Sequence, residues 1–267
     1  MIRHGKECGC LFTITIDDPL KLNSLSFDSF TEIARLLQMA EEDNEVVATV
    51  LQSTGEFFSA GGKFESIKDI DKTGVRERED RLRAEIAAMN VYVADVFAHH
   101  TKLLVCCLNG PAIGLAASLV LLCDMVYAMN ESVYVLLPFT SLGFVAELGC
   151  SVTVPSKLGV NRANEHFFFS TRIGYDEMIQ SRMISQNFNL PKGSTKEFNH
   201  RVHELLDQSL KGNNRQAMLN IKRLLNSGDA LIKAQSRETN TTLPFWLKGE
   251  PFKRFEQLQS KQRKHRL

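Results

Sequence analysis

The run LLVCCLNGPAIGLAASLVLLC, residues 103–123, contains no charged side chain. An uncharged stretch of that length either spans a membrane or is buried in a protein core. Asn109, Gly110 and Pro111 break it in the middle with a turn signal, which argues against a spanning helix. A buried strand (LLVCCL), a tight turn (NGP) and a buried helix (IGLAASLVLL) account for it better.

The flanking sequence repeats this strand-then-helix order. CLFTITIDD (residues 10–18) alternates in strand fashion, and DDPLKLNSL reads as a loop. Ser26 then caps a helix on which Phe27, Phe30, Ile33, Ala34 and Leu37 recur at helical spacing. VVATVLQS (46–53) is a second buried strand, and it runs through the glycine loop TGEFFSAGGKFESI into a short helix over 64–70. A charged stretch over 71–80 is expected to be mobile. Leu82, Ile86, Met89, Val93 and Phe97 then form one stripe of a long helix, with Asn90 beside it. MVYAM and VYVLL read as further strands. The expected class is therefore α/β, an α/β core of repeating units.

Beyond a boundary at 190–197, where LPKGST supplies proline and glycine, strand signals vanish. Phe198, Val202, Leu205 and Leu206 form one helical stripe, and Met218, Ile221, Leu224 and Leu225 form another. The expected division is a core over 1–195 and a helical C-terminal section over 196–267. The aromatic residues Phe245, Trp246, Phe252 and Phe255 of that section would pack on their own core or on a neighbouring subunit.

With 267 residues and a formal net charge of +1, the chain can bury a large core and has no general attraction for nucleic acid or anionic membrane. The cysteines at 8, 10, 106, 107, 123 and 150 show neither zinc-site spacing nor a disulfide framework. The start, MIRHGKECGC, lacks an apolar signal segment. The histidines show no pairing that calls for a metal, so no metal site is expected.

Three features carry chemistry. SAGGKF and GPAIGLAAS each place small residues at the end of a buried strand, where backbone N–H groups can point into a crevice. Each is also an ordinary strand-to-helix turn, but two N–H groups converging on one oxygen would form an oxyanion hole. The third feature is Glu147, alone among apolar and glycine residues in FTSLGFVAELGCSV, with no Lys or Arg nearby in sequence. It is either the first residue of a helix, favoured by the dipole, or a buried acid with a raised pKa.

The order of DDPLKLNSL, FFSAGGKF, LNGPAIGLAASLVLLCDMVYA and LPFTSLGF resembles the crotonase, or enoyl-CoA hydratase/isomerase, superfamily. NVYV, CCLNGPAIGL and the ending QSKQRKHRL are most similar to the fungal peroxisomal delta-3,delta-2-enoyl-CoA isomerases. The resemblance implies a crotonase-like spiral of β-β-α units, a homotrimer or homohexamer, and a fatty enoyl-CoA substrate bringing its own CoA, with no other cofactor. It places the oxyanion donors at Gly62 and Leu115, and substrate contacts at Ala60, Gly61, Gly62, Lys63, Phe64 and Leu115. Gly62 and Lys63 depart from the Ala-Asp pair common in the family, which bears on the shape of the CoA pocket; Lys63 either meets a CoA phosphate or is solvated.

Hydratases of this type hold a water with two glutamates, and the matching positions here are Ser118 and Phe139. Glu147 instead matches the single catalytic acid of the isomerases, with Asn90 matching an asparagine that orients it. Asp124 matches a structural acid. The resemblance thus implies transfer of a 3-enoyl double bond to the 2 position in fatty acid β-oxidation. The alternatives are a dienoyl-CoA isomerase, which needs a second acid, and a catalytically silent acyl-CoA-binding subunit. His265, Arg266 and Leu267 resemble a variant peroxisomal address, read by the import receptor.

Overall fold

The computed structural model describes residues 1–226, 228–260 and 262, with all their side chains except those of Phe64, Ser66 and Ile67. The tripeptide His265, Arg266 and Leu267 lies outside the described residues.

Among the described residues, nine strands form two sheets. The larger has the order β1 (Ile2–Glu7), β2 (Leu11–Ile16), β3 (Ala48–Ser53), β4 (Leu103–Leu108), β6 (Met125–Ala128), β9 (Gln186–Asn187). Only the β1–β2 pair is antiparallel in it. The smaller joins β5 (Ala112–Ile113), β7 (Tyr134–Leu136) and β8 (Arg172–Gly174). The helices are α1 (Phe27–Glu42), α2 (Phe64–Asp71), α3 (Val75–Arg81), α4 (Met89–His99), α5 (Leu115–Leu121), α6 (Phe139–Leu142), α7 (Cys150–Leu158), α8 (Val160–Phe169), α9 (Tyr175–Gln180), α10 (Thr195–Leu210), α11 (Arg215–Leu225), α12 (Asp229–Leu247) and α13 (Glu250–Gln259).

The β-β-α unit recurs. In β4-β5-α5 and β6-β7-α6 the first strand enters the large sheet and the second the small one. β3 begins a third such unit, in which a bridge at Ser59 to Ala112 takes the place of the second strand before α2. Parallel neighbours need crossovers, and helices supply them.

Period-two alternation decides which side of the sheet each residue meets. Leu104, Cys106 and Leu108 of β4 join the core beneath α1, α4 and α5, while Val105 and Cys107 face the smaller core beneath α10. The uncharged run thus becomes β4, β5 and α5, and among the described residues no helix is long and apolar enough to cross a membrane. Ser26 caps α1 as expected, accepting from Ser29 N at 3.2 Å.

Two features add to the sequence pattern. The charged stretch over 71–80 holds most of α3, which a π-helical segment (Leu82–Ala88) joins to α4. The second stripe of the C-terminal section faces outward: Ile221, Leu224 and Leu225 are exposed, whereas Leu219 and Lys222 are buried. An ion pair sets that rotation, because Lys222 Nζ lies 2.7 Å from the carboxylate of Asp124, which also accepts from Leu104 N. Asp124 therefore ties α11 to the sheet. α12 packs on α4 and α7, so the C-terminal section shares the main core, and Trp246 and Phe252 are buried in it.

Candidate active site

β3 and β4 are parallel, so their following loops leave the same end of the sheet. Those loops are laced together. Phe58 N and Ser59 N donate to Pro111 O at 3.1 and 3.2 Å, and Ile113 N returns to Ser59 O at 3.0 Å. Buried amides hold the arrangement from behind. Asn23 donates to Thr54 O and Phe57 O, and Asn109 accepts from Ser53 Oγ and donates to Gly55 O.

Glycine is required at two of the crossings. At Gly110 a Cβ would fall 1.9 Å from Glu56 O, and at Gly61, where φ is +90°, it would fall 2.6 Å from Ile113 O. Both obstacles are backbone and cannot swing aside. Gly61→Ala should therefore push the loops apart, lowering stability by about 1–3 kcal/mol and reducing turnover more than that loss explains; thermal melts alongside rate measurements check this.

The lacing leaves two N–H groups free. Leu25 N donates to Gly61 O and Lys63 N donates to Leu25 O, so the alternating pattern turns the Gly62 N–H away from Leu25. Leu115 is the first residue of α5, where an N–H has no partner within the helix. No acceptor among the described residues meets either group.

Gly62, Leu115 and Glu147 line a single cavity of ≈ 100 Å³. Ala60, Gly61 and Lys63 line it too, and Leu25, Ile86, Met89, Phe144, Trp246 and Phe255 add apolar wall. Glu147 is the only carboxylate among the described residues that line it. Lys63 Nζ lies 3.8 Å from Asp18 at the edge. Phe64 opens α2, and its side chain lies outside the described structure.

The structure rejects the helix-start reading of Glu147. α7 begins at Cys150, after the left-handed residues Leu148 (φ 56°) and Gly149 (φ 72°). The acid at its N-terminus comes from α12 instead: Glu238 accepts from Gly149 N at 2.7 Å and Ser151 N at 2.8 Å. The carboxylate of Glu147 is thus released from capping and turned inward, 3% exposed. Burial, and then the charge of Glu238, pushes its pKa up to about 8. Side chains of Thr242, Asn90 and Trp246 pull the other way. None of the three closes a hydrogen bond: Glu147 Oε1, both amide atoms of Asn90, Thr242 Oγ1 and Trp246 Nε1 are all buried without partners.

Asn90, fully buried on α4, thus stands beside Glu147 behind the cavity wall. Ser118 donates to the backbone carbonyl of Glu147 at 3.2 Å, and Phe139 lines the cavity, so neither position offers a carboxylate. Thr242, Trp246 and Glu238 were not singled out as site residues from sequence. Their only sequence signal is four-residue spacing on a helix far along the chain.

The sequence profile of the enoyl-CoA hydratase/isomerase family matches residues 7–243. The chain belongs to that family. It is 50% identical over 264 residues to the Delta(3,5)-Delta(2,4)-dienoyl-CoA isomerase of Saccharomyces cerevisiae, covering 97% of this chain and 96% of the relative. It is 43% identical over 264 residues to the 3,2-trans-enoyl-CoA isomerase of the same organism, covering 97% and 94%. A solved enoyl-CoA hydratase/isomerase from Mycobacterium paratuberculosis superposes with a TM-score of 0.81 at 26% identity, covering 96% of this chain and 97% of that one. The enoyl-CoA hydratase of Bacillus halodurans shares the fold, with a TM-score of 0.82 at 20% identity over 96% and 98% of the two chains.

Proposed function

We propose that this enzyme moves the double bond of a 3-enoyl-CoA thioester to the 2 position, with Glu147 relaying one proton. The observation that carries the reading is a solitary buried carboxylate sharing an apolar cavity with two unpartnered backbone N–H groups. Ionised Glu147 takes the proton from C2; the C2–H electron pair moves toward the thioester, whose oxygen gains charge. Gly62 N–H and Leu115 N–H donate to that oxygen. The carboxyl then gives the same proton to C4, the oxygen returns its electrons, and the double bond lies between C2 and C3. One side chain reaches both carbons because they lie on one face of a planar dienolate. The CoA arrives with the substrate, and no other cofactor takes part.

A dienoyl-CoA isomerase is the second reading, favoured by the relative at 50% identity. That reaction delivers its proton farther along the acyl chain, a task for a second acid. Ser118 and Phe139 supply none, and Glu238 is held by the α7 amides and is not among the cavity-lining residues. The geometry therefore favours the one-carboxylate shift. The test compares full-length protein on 3-enoyl-CoA, 3,5-dienoyl-CoA and 2-enoyl-CoA with water as the second reactant. Fastest turnover of the first supports the proposal; preference for the second replaces it, and no turnover of any substrate favours a silent acyl-CoA binder.

Assembly into three or six copies belongs to the same proposal, as does a peroxisomal setting. The outward stripe of Ile221, Leu224 and Leu225 is apolar surface that another copy would cover, and sedimentation measures the copy number.

The pH dependence follows from Glu147. As the base it must start ionised, so kcat/KM should climb as pH rises toward about 8 and level off above. Stability moves oppositely. Between the ordinary carboxyl range and about 8, the folded state retains a proton that the unfolded chain has released. The contribution is complete below the unfolded pKa and is lost as pH rises through the folded one. Urea unfolding of wild type and Glu147→Gln across this window should give a flatter profile for the variant.

A further inference from the structure

Four buried polar atoms without partners gather around the equally partnerless Glu147 Oε1, two of them on α12. That helix places Glu238, Thr242 and Trp246 at four-residue steps along one face, and they are 5%, 1% and 3% exposed. Each has a different task. Glu238 is spent on the first turn of α7. Trp246 packs its ring against Phe144, Phe252 and Phe255, with centroids 5.2, 5.4 and 6.2 Å away, and forms cavity wall. Its indole N–H and the Thr242 hydroxyl are left facing the Glu147 carboxylate.

A sealed donor with no acceptor is costly, and two on one helix face beside a sealed, partnerless carboxylate oxygen point to a common purpose. We propose that Thr242 and Trp246 are positioning residues for the Glu147 carboxylate, so that the C-terminal section completes the active site begun by the glycine loops. The inference rests on the isomerase reading above. Donors that stop short of a closed bond steady the ionised carboxylate before it takes the C2 proton. They also leave it free to turn toward C4, which a locked carboxylate could not do.

The titratable groups facing Glu147 are Glu238 from α12 and the Cys150 thiol from α7; Asn90 on α4 and Ser118 on α5 do not titrate in this range. Removing a donor therefore disfavours the ionised form against unchanged burial and an unchanged Glu238.

Trp246 is the only tryptophan in the chain, so its emission reports on the carboxylate beside it without any turnover. In the full-length protein, emission followed against pH should show a transition near 8, absent in Glu147→Gln. Thr242→Val, which keeps the shape and removes the hydroxyl, should move that midpoint upward by about one pH unit and lower kcat at neutral pH by about tenfold, with KM little changed. Thr242→Ser should restore both. Trp246→Phe keeps a ring on Phe144 and Phe255, and its rate profile should shift the same way.

A Thr242→Val protein with the wild-type midpoint overturns the proposal, whether its rate is unchanged or kcat and KM change together, since the residue would then only fill space. If wild type fails to isomerise 3-enoyl-CoA, the reaction assignment falls, while the emission midpoint of Thr242→Val still decides whether these donors act on Glu147.

Discussion

Glu147→Gln should lower kcat on 3-enoyl-CoA by about 10²–10⁴-fold while leaving KM within a few-fold. Glutamine fills the same volume but cannot take up the C2 proton, so binding survives and the relay does not. The protein should also keep its fold. Among the described residues Glu147 Oε1 has no hydrogen-bond partner and no cation pairs with the carboxylate, so the substitution removes no ion pair that holds elements together. Above neutral pH the variant should be the more stable of the two, because the wild-type protein must ionise a carboxyl that is 3% exposed. Loss of turnover with equal or greater resistance to urea is a signature that a structural residue would not give. A variant with wild-type turnover would remove Glu147 from the chemistry.

The second large effect should come from Leu115→Pro. Proline is tolerated at the first position of a helix, where its missing N–H has no helical partner to lose. The residue before it, Gly114, has φ 60° and ψ −132°, outside the α region that a following proline disfavours. The substitution thus deletes one oxyanion donor with little disturbance to α5. Removing such a donor costs about 10²–10³-fold in kcat. Leu115→Ala, which trims the same side chain but keeps the amide, should stay within about tenfold of wild type, and thermal melts of the two variants should agree closely. Equal rates for the proline and alanine variants would mean that the Leu115 amide does not meet the thioester oxygen.

Much of the site was legible in sequence because its parts are local. An uncharged run broken by NGP, two strand-ending glycine turns and a carboxylate with no nearby cation can each be recognised within one continuous segment. Gly62, Leu115 and Glu147 do line one cavity. The lacing that brings the two turns together was not legible, since it depends on Gly61 lying against Ile113 O and Gly110 against Glu56 O. Local pattern was incomplete on α11, where apolar spacing marked the stripe of Ile221, Leu224 and Leu225 but not the direction it faces. The Lys222–Asp124 pair turns the helix so that they face out. Helical periodicity gives the width of an apolar stripe, but not which side a distant ion pair will hold to the core.

The environment of Glu147 was the least accessible part. Sequence determined that an isolated acid would follow the second glycine turn and a short apolar segment, and that its cost would be high if it were buried. Only the tertiary structure decided that cost. Glu238, far along the chain, takes over the N-terminus of α7, while Thr242 and Trp246 arrive from the same face of α12 and Asn90 from α4. The chemical identity of the base is a property of one residue, and a sequence records it directly. Its basicity is a sum of desolvation and fields from groups brought near by folding, and those distances are fixed only when the core closes.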